Sequence, residues 1–345
     1  MKCRLSWLAA IDCARQKTLN SCVRFALFPA TILLILFLLS AGCGQQNDST
    51  SATAGPESKA SSVSSSPKNQ GIDRNHIASD ASPPDKPVRL IFIHHSVGED
   101  WLDDTKGGLG KALMDNNYFV SDTNYGWGPP DLDAGSENIG DHTDTGYWYS
   151  WFAGPHSSTY LSALYAESGQ NTASPYSRLS QNPGGENEIV MFKSCFPNSN
   201  LGGSPNDPPA QGQNLLRGQP AGEEVQTVQN AKGIYNDLLG YFATRQDKLF
   251  IVVTAPPLIE SETTPEAAAN ARALNSWLVN DWLAGYPHQN VAVFDFFNVL
   301  TSNGGSGNFS AYGSEDSHPT AAGEQKATAE FIKLLNADYH AWKNG

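Results

Sequence analysis

From Val88 onward the apolar residues gather into five short, nearly unbroken runs: VRLIFI at Val88–Ile93, YFVS at 118–121, IVMFK at Ile189–Lys193, LFIVVT at 249–254 and VAVFDFF at 291–297. Unbroken apolar runs of this length suit parallel strands covered on both faces, whereas strict alternation would mark a sheet with one wet face. Between the later runs the period changes from two to about 3.6. Val225, Val228, Tyr235, Leu238, Leu239 and Phe242 share one helical face. Thr264-Pro265-Glu266 is a helix start leading to Ala271, Leu274, Leu278 and Trp282. A last helix begins near Pro319 and carries Phe331, Leu334, Leu335 and Trp342. Strands alternating with helices predict an α/β fold: a three-layer αβα sandwich around a five-stranded, mainly parallel sheet, with 88–345 as one domain.

The chain before Val88 has a different texture. Residues 25–42 read FALFPATILLILFLLSAG behind a basic start, the layout of a secretory signal. An uncleaved anchor is the alternative, although the stretch is short for a bilayer span and Pro29 interrupts it. Leu39-Ser40-Ala41-Gly42-Cys43 is similar to a bacterial lipobox, which makes Cys43 the expected lipidation site and places the body outside the cytoplasm, held to a membrane. The segment from 43 to 87 is rich in Ser, Pro, Ala, Asn and Gln and has no usable apolar period. It reads as a disordered tether with a root-mean-square span of roughly 35 Å.

Composition narrows the function. Eight Trp, 12 Tyr and 15 Phe are too many for a disordered chain. The formal net charge is −13, and Lys2, Arg4, Arg15, Lys17 and Arg24 already lie in the leader, so the body is more acidic still. A binder of nucleic-acid phosphates needs the opposite sign. Of five cysteines only Cys195 lies in the body, which therefore forms no internal disulfide.

In parallel α/β sheets ligands gather beyond the carboxyl ends of the strands. After the first run comes His94-His95-Ser96-Val97-Gly98, and before the last helix comes Glu315-Asp316-Ser317-His318-Pro319. Taken alone, Ser96 is a turn cap and the second stretch an acidic turn. Together they form a candidate triad, because a serine hydroxyl needs a base and an imidazole base needs an acid to orient it. His94 and His95 are adjacent on an extended segment and so point to opposite sides, which suits hydrogen-bonded core residues better than a shared metal. Cys195 is a competing nucleophile or a small buried residue. No metal and no cofactor is expected.

This arrangement resembles the SGNH (GDSL-type) hydrolase superfamily, in which the serine follows the first strand and Asp-x-x-His precedes the last helix. The resemblance covers 88–345 as a layout and implies the flavodoxin-like strand order 2-1-3-4-5. Only the serine of Gly-Asp-Ser carries over. The position three before His318 is Glu315, while Asp316 is one residue nearer. Asp316 is read as the orienting acid, with Glu315 as the alternative by strict spacing. The resemblance also implies an oxyanion hole made by the Ser96 amide, a glycine amide after the second strand (Gly126, or Gly128) and an asparagine after the third, for which Asn198 is the candidate.

The aromatic segment Tyr147-Trp148-Tyr149-Ser150-Trp151-Phe152 and nearby Trp127 suit sugar rings, so Trp127, Trp148 and Trp151 are candidate substrate-binding residues; the alternative is that they cover an edge of the sheet. The long connections 122–187 and 194–222 emerge beside the expected site and should shape it. The expected function is a membrane-tethered serine esterase acting on a small-molecule or polysaccharide ester, with an O-acetylated carbohydrate as the natural substrate. A non-catalytic glycan-binding lipoprotein on the same fold is the alternative.

Overall fold

Five strands, β1 (Val88–Ile93), β2 (Tyr118–Thr123), β3 (Ile189–Lys193), β4 (Leu249–Val253) and β5 (Val291–Phe294), pair in the order β2-β1-β3-β4-β5. Every pairing is parallel, with Val88 opposite Tyr118, Leu90 opposite Ile189, Ile189 opposite Leu249 and Phe250 opposite Val291. The computed structural model describes residues 80–345 except 134, 136 and 302–306. The leader, Cys43 and the tether as far as 79 lie outside the described residues.

Successive strand residues point to opposite faces, and each face has its own core. Ile91, Ile93, Val190, Phe192, Phe250 and Val252 pack under α3 (Trp148–Phe152), α4 (Ser157–Ala166), α5 (Val228–Thr244) and α6 (Pro265–Asn280). Leu90, Phe92, Met191, Ile251 and Phe294 pack under α1 (Ser96–Leu102), α2 (Leu109–Asp115), α7 (Phe296–Leu300) and α8 (Ala321–Asn344). Unbroken apolar runs are needed because neither face meets water. The result is the three-layer α/β sandwich that the pattern predicts.

Several boundaries differ from the sequence pattern for local reasons. The run 291–297 divides at Asp295, whose side chain accepts a hydrogen bond from Asn298 N and starts α7. α5 begins at Val228 because Thr227 caps it, and α6 begins behind the Thr264 cap with Pro265 in its first turn; Trp282 falls just beyond its end. Residues 80–87 are not free of the body. The Ala81 carbonyl accepts from Asn336 (2.9 Å) and the Pro84 carbonyl from Asn117 (2.8 Å), so the tethering segment stops short of Val88. Among the described residues no helix is long and apolar enough to cross a membrane.

α1 lies very close to the end of β1. A Cβ built on Gly98 would stand 2.3 Å from the Cβ of His94, so only glycine lets the helix approach the sheet while Ser96 stays at its first position. Gly240, by contrast, is exposed inside α5 with open space around it. Gly98→Ala should therefore lower stability by about 1–3 kcal/mol through overpacking, while Gly240→Ala should raise it by about 0.5–1 kcal/mol. Urea midpoints at unchanged m-value would show the two opposite signs.

Candidate active site

Because all five strands run the same way, the residues that follow them meet at one edge of the sheet. β1 and β3 are neighbours there, and the chain switches sides between them, which is where ligand crevices open in such folds. Ser96 follows β1 as the first residue of α1, after His95 in extended conformation. Ser194 and Cys195 follow β3. The loop before α8 brings His318 across 222 positions of sequence.

The Ser96 hydroxyl and His318 Nε2 are 2.9 Å apart. On the other side of the ring, Nδ1 faces Asp316 Oδ2 at 3.0 Å, and the His318 backbone N–H donates to Asp316 Oδ1 at 2.9 Å. Burial by itself would raise the Asp316 carboxyl, but these two hydrogen bonds outweigh it and hold the group below the usual carboxylate range. Asp316, rather than the solvent-exposed Glu315, is thus the acid that faces His318. The loop is pinned from behind. Ser317 Oγ accepts from Ile259 N at 3.0 Å and donates to Glu262, Gly313 bridges to Pro319, and the Phe196 ring meets the imidazole edge-on at 4.9 Å.

The paired histidines part as their alternation predicts. Buried His94 places Nε2 3.1 Å from Asp122 Oδ2 and Nδ1 2.9 Å from the His95 carbonyl. Burial favours the neutral form of Asp122, yet His94, Asn171 N–H and the Tyr176 hydroxyl together keep its carboxyl low. His95 donates from Nε2 to the Gly140 carbonyl at 2.8 Å, and burial pulls its pKa down to about 4. Cys195 Sγ stands 3.7 Å from Ser96 Oγ, but the imidazole nitrogen is aimed at the hydroxyl. These positions favour the serine over the cysteine as the group a base can activate.

Two oxyanion candidates are engaged elsewhere. Gly126 has φ +75°, and its N–H donates to Asp141 Oδ1 at 2.8 Å. Asn198 is buried; its amide nitrogen donates to Asp144 (2.6 Å) and to the Cys195 carbonyl (3.2 Å), and its oxygen accepts from Thr145 N. Both side-chain and backbone donors are spent in holding the connecting segments together, so neither is offered to Ser96.

The aromatic candidates divide in the same way. Trp148 and Trp151 are fully buried, their indole N–H groups donating to Ser194 Oγ (2.8 Å) and the His142 carbonyl (2.7 Å). They are core residues that no substrate reaches. Trp127 is half-buried, stacks on Trp151, and donates to Glu167 at 2.7 Å. It lines a cavity of about 670 Å³ together with Tyr125, Glu167, Gln170 and Asn171. That volume is within the usual range for small-ligand pockets.

Sequence reading overlooked three polar residues here. Tyr125 is one residue from Gly126, and its ring stacks on His95. Lys193, the last residue of an apolar strand, is fully buried with Nζ 3.2 Å from the Ser194 carbonyl and 3.9 Å from Cys195 Sγ; burial lowers its pKa. Glu324, in the first turn of α8, is fully buried with neither oxygen hydrogen-bonded, and burial, then Asp100, push its pKa up to about 9. Lysine at the end of IVMFK was the available signal, since a charge closing a doubly covered strand must find a partner inside.

Glu324 gives a pH prediction. Below its ordinary pKa the group is protonated in both folded and unfolded chains and adds no pH dependence to stability. From about pH 4.5 to 9 only the unfolded chain releases the proton, so stability falls with rising pH by up to about 1.4 kcal/mol per unit. Glu324→Gln should match the parent near pH 4 and exceed it at pH 8 in urea-unfolding stability; equal slopes for both would remove this account. No family model, curated protein or solved structure matches the chain.

Proposed function

We propose that this protein is a serine esterase of the SGNH type, with Ser96 as nucleophile, His318 as general base and acid, and Asp316 as the residue that orients and charges the imidazole. The observation that carries the reading is the unbroken relay Ser96 Oγ–His318 Nε2 at 2.9 Å and His318 Nδ1–Asp316 Oδ2 at 3.0 Å. Nucleophile–base and base–orienter distances both fall within hydrogen-bond reach.

Ser96 Oγ attacks the ester carbonyl carbon as its proton passes to His318 Nε2. The carbonyl π pair moves onto oxygen and then returns, expelling the alcohol, which takes the proton from Nε2. The acyl group is left on Ser96. A water then gives a proton to Nε2 and attacks the acyl carbon, and collapse releases the acid and restores the hydroxyl. Asp316, held ionised by its bonds to His318, stabilises the imidazolium formed in each half.

The alcohol portion of the substrate is read as a carbohydrate carrying an O-acetyl group. Support comes from the cavity beside Tyr125, where the Trp127 ring stands among Glu167, Gln170, Asn171 and Thr172. An apolar ring bordered by amides and a carboxylate matches a sugar, whose C–H faces are apolar and whose hydroxyls need partners. The lipobox-like leader supports a place outside the cytoplasm, with acylated Cys43 in the membrane.

Hydrolysis of an activated aryl acetate by the full-length protein tests the chemistry. Ser96→Ala and His318→Ala should reduce turnover to background. Asp316→Asn should cost at least about a hundredfold in kcat, and Glu315→Gln less than about twofold. Turnover that survives Ser96→Ala would sink the mechanism. A parent protein that binds glycans but resists labelling by an organophosphonate at Ser96 would instead be a binding protein.

A further inference from the structure

A tetrahedral intermediate puts a full negative charge on the former carbonyl oxygen, which needs donors with no other commitment. Around Ser96 such donors are scarce. Gly126 N–H is bound to Asp141, and the Asn198 amide nitrogen to Asp144 and the Cys195 carbonyl. Tyr125 is what faces the serine. Its phenol interacts with both the Ser96 hydroxyl and the Ser96 backbone N–H, while the residue as a whole is 58% exposed.

The ring has a fixed platform. It stacks on the His95 imidazole with centroids 3.8 Å apart and planes 24° from parallel. His95 is itself held by the Gly140 carbonyl at 2.8 Å. With its pKa drawn down to about 4 by burial, the imidazole stays neutral across the working range, so the platform does not change charge while His318 does.

We propose that Tyr125 is a further catalytic residue, an oxyanion donor whose hydroxyl acts with the Ser96 N–H on the tetrahedral intermediate. The inference rests on Ser96 being the nucleophile. In the free protein the phenol interacts with the Ser96 N–H, the donor that an oxyanion formed on this serine also uses. The incoming carbonyl oxygen accepts that N–H, and the phenol, supported on one face only, withdraws by about one hydrogen-bond length, roughly 2.8 Å, and turns its proton onto the new oxygen. A phenol loses its proton only near pH 10, and partial burial followed by the Cys195 sulfur raises that value further. The donor is therefore intact wherever His318 can work as a base.

A residue in this position has two opposite readings, donor or plug, and removal of the one hydroxyl separates them. Tyr125→Phe keeps the stack on His95 and deletes the proton. In the full-length protein, with an activated aryl acetate, it should lower kcat roughly 10²–10³-fold and leave KM within about twofold. The pH profile should keep its shape, and the thermal unfolding midpoint should stay within a few degrees of the parent. The rate of Ser96 phosphonylation by a fluorophosphonate, which builds the same charged geometry, should fall in parallel. A Tyr125→Phe kcat equal to or above the parent, with Ser96→Ala inactive, overturns the donor role and leaves the esterase reading in place. A parent protein without Ser96-dependent turnover overturns both.

Discussion

The hydrogen bond between Ser96 and His318 joins residues 222 positions apart, and it depends on one constraint: every strand of the sheet points the same way. Parallel pairing sends the chain out of each strand at a common edge, so Ser96 just after β1, Ser194 and Cys195 just after β3 and the loop before α8 converge there. The doubly covered sheet holds that edge still. Fully buried strands whose ladder is satisfied on both sides leave no slack for Ser96 to drift, and the 2.3 Å contact that any Cβ at residue 98 would make with His94 shows how closely α1 is set against β1. The loop that carries His318 has no strand to fix it and is tied instead by Ser317 to Ile259 and Glu262.

Near the relay the protein buries four titratable side chains. His94 with Asp122 sits on one side, and Lys193 and Glu324 on the other, all inaccessible to solvent. Isolated buried ions are costly, and a pair offsets that cost only with good geometry and further hydrogen bonds. Asp122 meets this condition through His94, Asn171 and Tyr176. Glu324 does not, and takes its proton instead. The difference separates a pair that stabilises the β1–β2 edge from a group retained at a cost to stability. Both sets of groups flank Ser96, where a low dielectric strengthens every interaction made with a developing charge.

Most of the architecture was legible in the sequence because it is written in periodicity. Runs of apolar residues gave the five strands, and the apolar face from Val228 to Phe242, the Thr264-Pro265-Glu266 start and the stretch after Pro319 marked the late helices. Ser96, Asp316 and His318 were legible because their chemistry is confined to strand ends. The early helices α1 to α4 were not, since α1 to α3 have only five to seven residues, too few turns to establish a period. The other partners of Gly126 and Asn198 were not legible for a different reason. A glycine or asparagine is identified by position, whereas its usefulness depends on whether its N–H is already taken, and Asp141 and Asp144 decide that from elsewhere in the chain. Trp148 and Trp151 show the same limit: an aromatic cluster has identical spelling whether it faces a ligand or fills a core.

The spacing of the acid and the histidine illustrates how local geometry can replace a familiar pattern. With Asp316 two residues before His318, Oδ1 accepts the backbone N–H of residue i+2, the hydrogen bond that defines an Asx-turn. That turn directs the second oxygen toward the ring, so Oδ2 reaches Nδ1 at 3.0 Å while Oδ1 holds the backbone at 2.9 Å. One carboxylate thereby fixes the loop and the tautomer together: Nδ1 carries the proton toward Asp316 and Nε2 is free to accept one from Ser96. An acid three residues away must be brought to the ring by the fold around it, but one two residues away arrives there by its own turn. A shorter spacing is therefore compatible with a working relay, and the exposed Glu315 is left with no part in it.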